Sequence, residues 1–146
     1  MLFKNEESSL KLEVMNYELP YGAGDPTSDD MNWLVLRATW VNEDGMIIKD
    51  SNSCLLTYEL QEMTAGLKVV NAGLKDRYES TFMEPYFMLS ADAVEDGFRF
   101  FVSFTLPNTM EDEDVAELYA TMNKAEMKAL IDELDMLCKK FPDRIA

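Results

Sequence analysis

Residues 33–45, WLVLRATWVNEDG, decide the fold class. Leu34, Leu36, Ala38 and Trp40 fall on one side and Trp33, Val35, Arg37 and Thr39 on the other, the period-two pattern of a half-buried strand. Asn42, Glu43, Asp44 and Gly45 then read as a hairpin turn, with glycine available for the positive φ such turns need. Met46–Lys49 is therefore expected to return antiparallel and, after an irregular stretch, to continue into Cys54–Leu56.

Toward the N-terminus, Leu10–Leu19 reads as a further strand. Leu10, Leu12 and Val14 alternate before the phase shifts to Met15, Tyr17 and Leu19, a shift that predicts a β-bulge. Pro20, Gly22, Gly24 and Pro26 punctuate the long loop that ends in Asp29 and Asp30. Residues 1–9 are short and polar and are expected to be loosely ordered.

Toward the C-terminus, Thr57 is placed to cap a helix with Leu60, Met63, Thr64, Leu67 and Val70 on its buried stripe and Gly73 as its stop. Two strands follow: Thr81–Leu89, interrupted by Pro85, and Phe98–Leu106, where Phe98, Phe100, Val102, Phe104 and Leu106 alternate. A polar turn containing Asp92, Glu95, Asp96 and Gly97 joins them, so the pair reads as a hairpin. Phe101 is the exception on the polar face. Val115–Met122 fits a short last strand, with a helical reading left open. Asn123 and Glu126 have capping-box spacing ahead of the stripe Met127, Leu130, Ile131, Leu134, Leu137, Cys138 and Phe141, and Pro142 ends that helix. The order predicts one α+β domain over residues 1–146: a mostly antiparallel sheet of about six strands with two helices packed on one face.

Charge narrows the function. The 146 residues contain 28 Asp and Glu against 13 Lys and Arg, a formal net charge of −15. Residues 1–73 carry 5 basic and 12 acidic side chains and residues 74–146 carry 8 and 16, so the acidity belongs to the whole fold. No basic stripe exists to release counterions from a phosphate backbone, which argues against a nucleic-acid ligand. The same field attracts a cationic partner and speeds the encounter at low salt. No apolar run approaches the roughly 18 residues of a membrane span, and no leader-like segment opens the chain, so a soluble cytoplasmic protein without a membrane partner is expected.

Chemistry is harder to place. Histidine, the commonest general base and metal ligand, is absent. Cys54 and Cys138 stand 84 residues apart in apolar segments, as reduced buried thiols do, and neither has a histidine to activate it. The acidic groups Asp25, Asp29 and Asp30, then Asp92, Glu95 and Asp96, then Glu111–Asp114 lack EF-hand spacing and read as solvated loop charge. The eleven methionines read as core filling before an adaptable binding surface. No catalytic residue, metal or cofactor is therefore expected. Among the aromatics, Tyr21, Trp33 and Phe101 are candidates for contact with a partner, and a cluster is what would distinguish a contact site from isolated surface rings.

Four segments taken together resemble a family. NWLVLRATW after the Asp-rich loop, SCLLTYEL leading into the first helix, MEPYFML and KKFPDR, spread between Leu10 and Arg144, are similar in order and spacing to the small bacterial WapI-family immunity proteins. The resemblance implies a non-catalytic protein that binds and neutralises the toxic C-terminal domain of a contact-dependent toxin in the cytoplasm. Toxins that cut RNA need basic substrate grooves, so a nuclease is one toxin the acidic chain would complement. Local charge beside predicted strand ends gives the expected contact set: Asp25, Asp29, Asp30, Glu111, Asp112, Glu113 and Asp114, with Trp33 as an aromatic anchor. The alternative is a non-catalytic adaptor or structural domain, with self-association through a sheet edge as one form of it. A small carboxylate-based enzyme ranks below both.

Overall fold

The structure is a computed structural model and describes residues 1–25, 28–106 and 114–144. Among these residues eight strands and two α-helices follow one another as β1 (Leu2–Lys4), β2 (Ser9–Tyr17), β3 (Trp33–Val41), β4 (Ile47–Leu56), α1 (Thr57–Asn71), β5 (Arg77–Glu79), β6 (Phe87–Val94), β7 (Gly97–Leu106), β8 (Asp114–Met122) and α2 (Lys124–Lys140), with a 3-10 turn at Asp30–Asn32 leading into β3. The α+β class and the antiparallel pairing are as expected. The sheet is not single: the strands form two four-stranded sheets, β1-β2-β3-β4 and β5-β6-β7-β8, each in chain order. Each half of the chain is thus four strands followed by a helix.

The two added strands are the short ones. Residues 1–9, expected to be loosely ordered, hold β1, in which Phe3 pairs with Leu10 and is fully buried. The N-terminal ammonium is drawn in as well, donating to the Leu12 carbonyl and to Glu133 Oε1 on α2 at 2.8 and 2.7 Å. Arg77–Glu79 pairs with Ser90–Asp92 as β5. The strand expected over Thr81–Leu89 begins only at Phe87, beyond Pro85, because proline cannot donate to a sheet ladder.

The bulge in β2 falls between Val14 and Asn16, where the pattern changes phase. A second irregularity falls in β4, where Leu34 pairs with Leu55 and Val35 with Ser53, so that Cys54 is the extra residue of a strand that runs from Ile47 to Leu56. The cap of α1 is Leu56 and not Thr57: the Leu56 N–H donates to Glu59 Oε1 at 3.0 Å, while Glu59 Oε2 accepts the Met83 N–H at 2.7 Å. Both oxygens of this buried carboxylate are thereby satisfied, as a buried charge requires. In α2, Asn123 and Glu126 form the expected reciprocal capping box.

One core joins both halves. Leu10, Leu12, Leu34, Leu36 and Ala38 of the first sheet meet Leu89, Phe100, Val102, Phe104 and Leu118 of the second, and Phe3 touches Phe100 across the seam with ring centroids 5.7 Å apart. Helices α1 and α2 pack on each other and complete the core with Leu60, Met63, Leu67, Met127, Ile131 and Leu134. Burying each such large side chain is worth about 1.5–3 kcal/mol. The opposite faces of the sheets stay open: Lys11 and Arg37 on the first, Met88, Arg99 and Tyr119 on the second, are exposed.

Candidate functional site

The loop between β2 and β3 carries the first acidic group, and its shape is set by the C-terminal segment. After α2 the chain crosses the loop's base at Arg144. The guanidinium donates to the carbonyls of Leu19 and Met31, and the Arg144 N–H donates to Asn32 Oδ1, whose Nδ2 returns a bond to the Arg144 carbonyl. The same guanidinium lies 3.7 Å from the centroid of the Tyr17 ring, and Tyr17 Oη donates to the Pro142 carbonyl at 2.6 Å. Burial pushes the Tyr17 phenol above its ordinary range, with the Arg144 charge opposing the shift. Asp143, one residue earlier, accepts from Thr57 Oγ1 and Gln61 Nε2 at the start of α1, where a carboxylate also complements the helix dipole.

Within the loop the carboxylates are partly committed. Asp30 Oδ2 accepts the Asp25 N–H at 2.9 Å, closing a small ring. Asp29 Oδ2 accepts from Tyr58 Oη at 3.4 Å, and burial followed by the Asp29 charge raises the Tyr58 phenol. Asp25 is exposed, Asp29 and Asp30 are half-exposed, and Tyr21 stands 72% exposed beside them. Trp33 follows directly at the start of β3 and is half-buried, with its carbonyl bonded to the Glu18 N–H. The structure thus brings Asp25, Asp29, Asp30 and Trp33 together at one end of the first sheet. Glu111, Asp112 and Glu113 lie outside the described residues, as does the side chain of Asp114, whose backbone opens β8 opposite Leu106.

A second feature was only half legible. The open face of the second sheet is ordered in cross-strand rows: Arg77, Asp92, Arg99 and Thr121 in one, and Glu79, Ser90, Phe101 and Tyr119 in the next. Phe101 and Tyr119 are direct partners with ring centroids 4.9 Å apart, and Tyr119 is 64% exposed. Asp92 faces an arginine on either side, yet Arg77 Nη1 reaches both of its oxygens at 2.7 Å. These side chains line a shallow groove of about 260 Å³. Phe101 stands out in the sequence as an apolar residue on a polar face; Tyr119 carries no comparable signal, because only the β7–β8 register places it beside Phe101.

Among the described residues, no group of three or more Cys, Asp or Glu side chains is arranged to hold a metal ion, and no helix is long and apolar enough to cross a membrane. Cys54 is buried, and burial pushes its thiol up to about 12, the opposite of what a nucleophile needs.

The profile described as the immunity protein WapI-like family matches residues 1–142. No curated protein matches. Among solved structures, the chain is similar to WHY3 from Arabidopsis thaliana, with 17% identity, a TM-score of 0.55, and coverage of 97% of this chain and 86% of that one. It is also similar to the plant transcriptional regulator PBF-2, with 16% identity, a TM-score of 0.49, and coverage of 95% and 79%. At such identities the likeness to WHY3 is one of fold alone.

Proposed function

The chain belongs to the WapI-like immunity protein family, and from that premise we propose that it binds and neutralises the toxic domain of a cognate bacterial toxin, stoichiometrically and by protein–protein contact. The observation that carries this reading is the extent of the family match, residues 1–142 of 146. A net charge of −15 supports a basic toxin, and a nuclease in particular, since a groove that binds RNA presents the complementary sign. The complex forms in the cytoplasm, where such a toxin would find its substrate.

The acidic end of the first sheet is the surface offered to that partner. Asp25, Asp29, Asp30 and Trp33 lie together there, on a loop pinned by Arg144, so their charge is presented in a fixed arrangement and little ordering entropy is lost on binding. Exposed charges of this kind act mainly on the association rate and are weakened by salt.

The test is to mix the protein with the toxin domain encoded beside its gene and follow binding by calorimetry and toxin activity by its cellular or RNA-cleavage effect. A one-to-one complex that silences the toxin is the expected result. Asn substitution of Asp25, Asp29 and Asp30 together should slow association severalfold at low salt and little at high salt. Absence of any complex would move the reading to an adaptor domain with another partner.

A further inference from the structure

We propose that the open face of the second sheet is the affinity-determining contact of this protein, and that it takes from the toxin domain an apolar or aromatic side chain flanked by a carboxylate. The inference rests on the immunity reading and assigns the contact to a face that the acidic loop does not reach in sequence or in sheet.

Composition is the first ground. Side chains that dominate protein interfaces are aromatic residues, methionine and arginine, and here Phe101, Tyr119, Met88 and Arg99 lie on one face of adjoining strands. Phe101 and Tyr119 are already in ring contact, and Phe101 is only partly accessible. The pair is therefore a preformed shelf with few rotamers left to lose when a partner ring or aliphatic chain covers it.

Charge is the second. In a chain with 28 acids and 13 bases, an arginine has many carboxylates to choose from. Arg99 stands directly across from Asp92 in the β6–β7 ladder and from Thr121 in the β7–β8 ladder. Asp92 gives both oxygens to Arg77 on its other side. Among the described residues Arg99 makes no ion pair, and it lines the same groove as Phe101 and Tyr119. A planar fork of donors beside an aromatic shelf complements a carboxylate that arrives next to an apolar group. Ser90, in the row of Phe101, and Asp92, held by Arg77, give that groove its polar side.

This arrangement divides the labour of binding. The acidic body of the protein draws a basic toxin in, and the shelf with Arg99 retains it. Substitutions on the shelf should therefore act on dissociation, where those on the acidic loop act on association.

The experiment is surface-immobilised binding kinetics between the full chain and the toxin domain encoded beside its gene. The variants are Tyr119→Ala, Arg99→Glu and Arg99→Lys, each checked for an unchanged unfolding midpoint. Expected are a rise of at least tenfold in dissociation rate for Tyr119→Ala, a larger rise for Arg99→Glu, a smaller one for Arg99→Lys, and association rates within about threefold of wild type for Tyr119→Ala. A wild-type complex whose dissociation stays within twofold in both Tyr119→Ala and Arg99→Glu would overturn the assignment of this face and leave the immunity reading standing. No wild-type complex at all would overturn both. If toxin dissociation is unchanged in Tyr119→Ala while that variant loses binding to a single-stranded oligonucleotide, or converts a dimer of the free protein seen by light scattering to monomer, the face belongs to that other occupant and the partner class is overturned.

Discussion

Arg144 and Tyr17 are 127 positions apart in the chain and in face-to-charge contact, the guanidinium 3.7 Å from the ring centroid. The last described residue of the protein thereby fastens the loop that follows its second strand. Its nitrogens reach the carbonyls of Leu19 and Met31 at the loop's two ends, so removing the side chain leaves part-buried carbonyls without their donor.

Arg144→Ala should cost about 2–3 kcal/mol, from charged hydrogen bonds and the cation–π contact together. For a chain of this size that corresponds to a Tm lower by roughly 4–12 °C. Limited proteolysis should show new cleavage within residues 18–32. Arg144→Lys should restore little, because one ammonium cannot serve both carbonyls and the ring as a planar fork does.

Glu59→Ala should be more damaging than its place in the first turn of a helix suggests. It would leave the Leu56 and Met83 N–H groups without acceptors, at about 1–3 kcal/mol each. Urea unfolding should give a lower midpoint with an unchanged slope. Glu59→Gln keeps one acceptor oxygen and should lose about half as much.

Gly66 sits inside α1, where alanine would ordinarily gain about 1 kcal/mol. A Cβ at this position would overlap the ring of Tyr78 on β5, so Gly66→Ala should instead destabilise by about 1–2 kcal/mol. The sign should reverse in a Tyr78→Ala background, and a double-mutant cycle measures that coupling.

Stability should fall in alkali ahead of general charge repulsion. Burial pushes the Cys54 thiol and the Tyr78 phenol each up to about 12. Both groups are neutral when protonated, so their contribution is fully present below their unfolded values and is lost as pH rises through the folded ones. The window opens near pH 9 for Cys54 and near pH 10 for Tyr78 and closes near pH 12 for both. Unfolding midpoints measured between pH 8 and 11 should decline, and less steeply in Cys54→Ala. In the native protein Cys138, which is partly accessible, should react with a thiol reagent well before Cys54.

The local elements were legible because their signals are local. The alternation in WLVLRATWV gives β3 its bounds, the phase shift after Val14 marks the bulge, and Asn123 with Glu126 marks the start of α2. Strands β1 and β5 were not, since three residues such as Leu2–Lys4 or Arg77–Glu79 cannot display a period of two. The division into two sheets was hidden for another reason: alternation reports which face is buried and says nothing of where a sheet ends. The same limit applies to function. Asp25, Asp29 and Asp30 are neighbours in sequence and were found as a group, and Phe101 announced itself by being apolar on a polar face. Tyr119 and Arg99 depend on strand register, and the grip of Arg144 on contacts across more than a hundred residues, neither of which a local pattern displays.

The strand order of each sheet repeats the order of synthesis. Among the described residues every ladder of backbone hydrogen bonds therefore joins segments that leave the ribosome one after the other, and none waits for a strand from the other half. The first sheet and α1 have all their strand partners once residue 71 has emerged, and vectorial folding of one half before the next is made is the expected route. What the nascent half lacks is cover for Phe3 and its neighbours, which the second sheet, through Phe100, and α2 later provide. The interval between the two halves is accordingly when the chain exposes most apolar surface, and when a chaperone would have the most to hold.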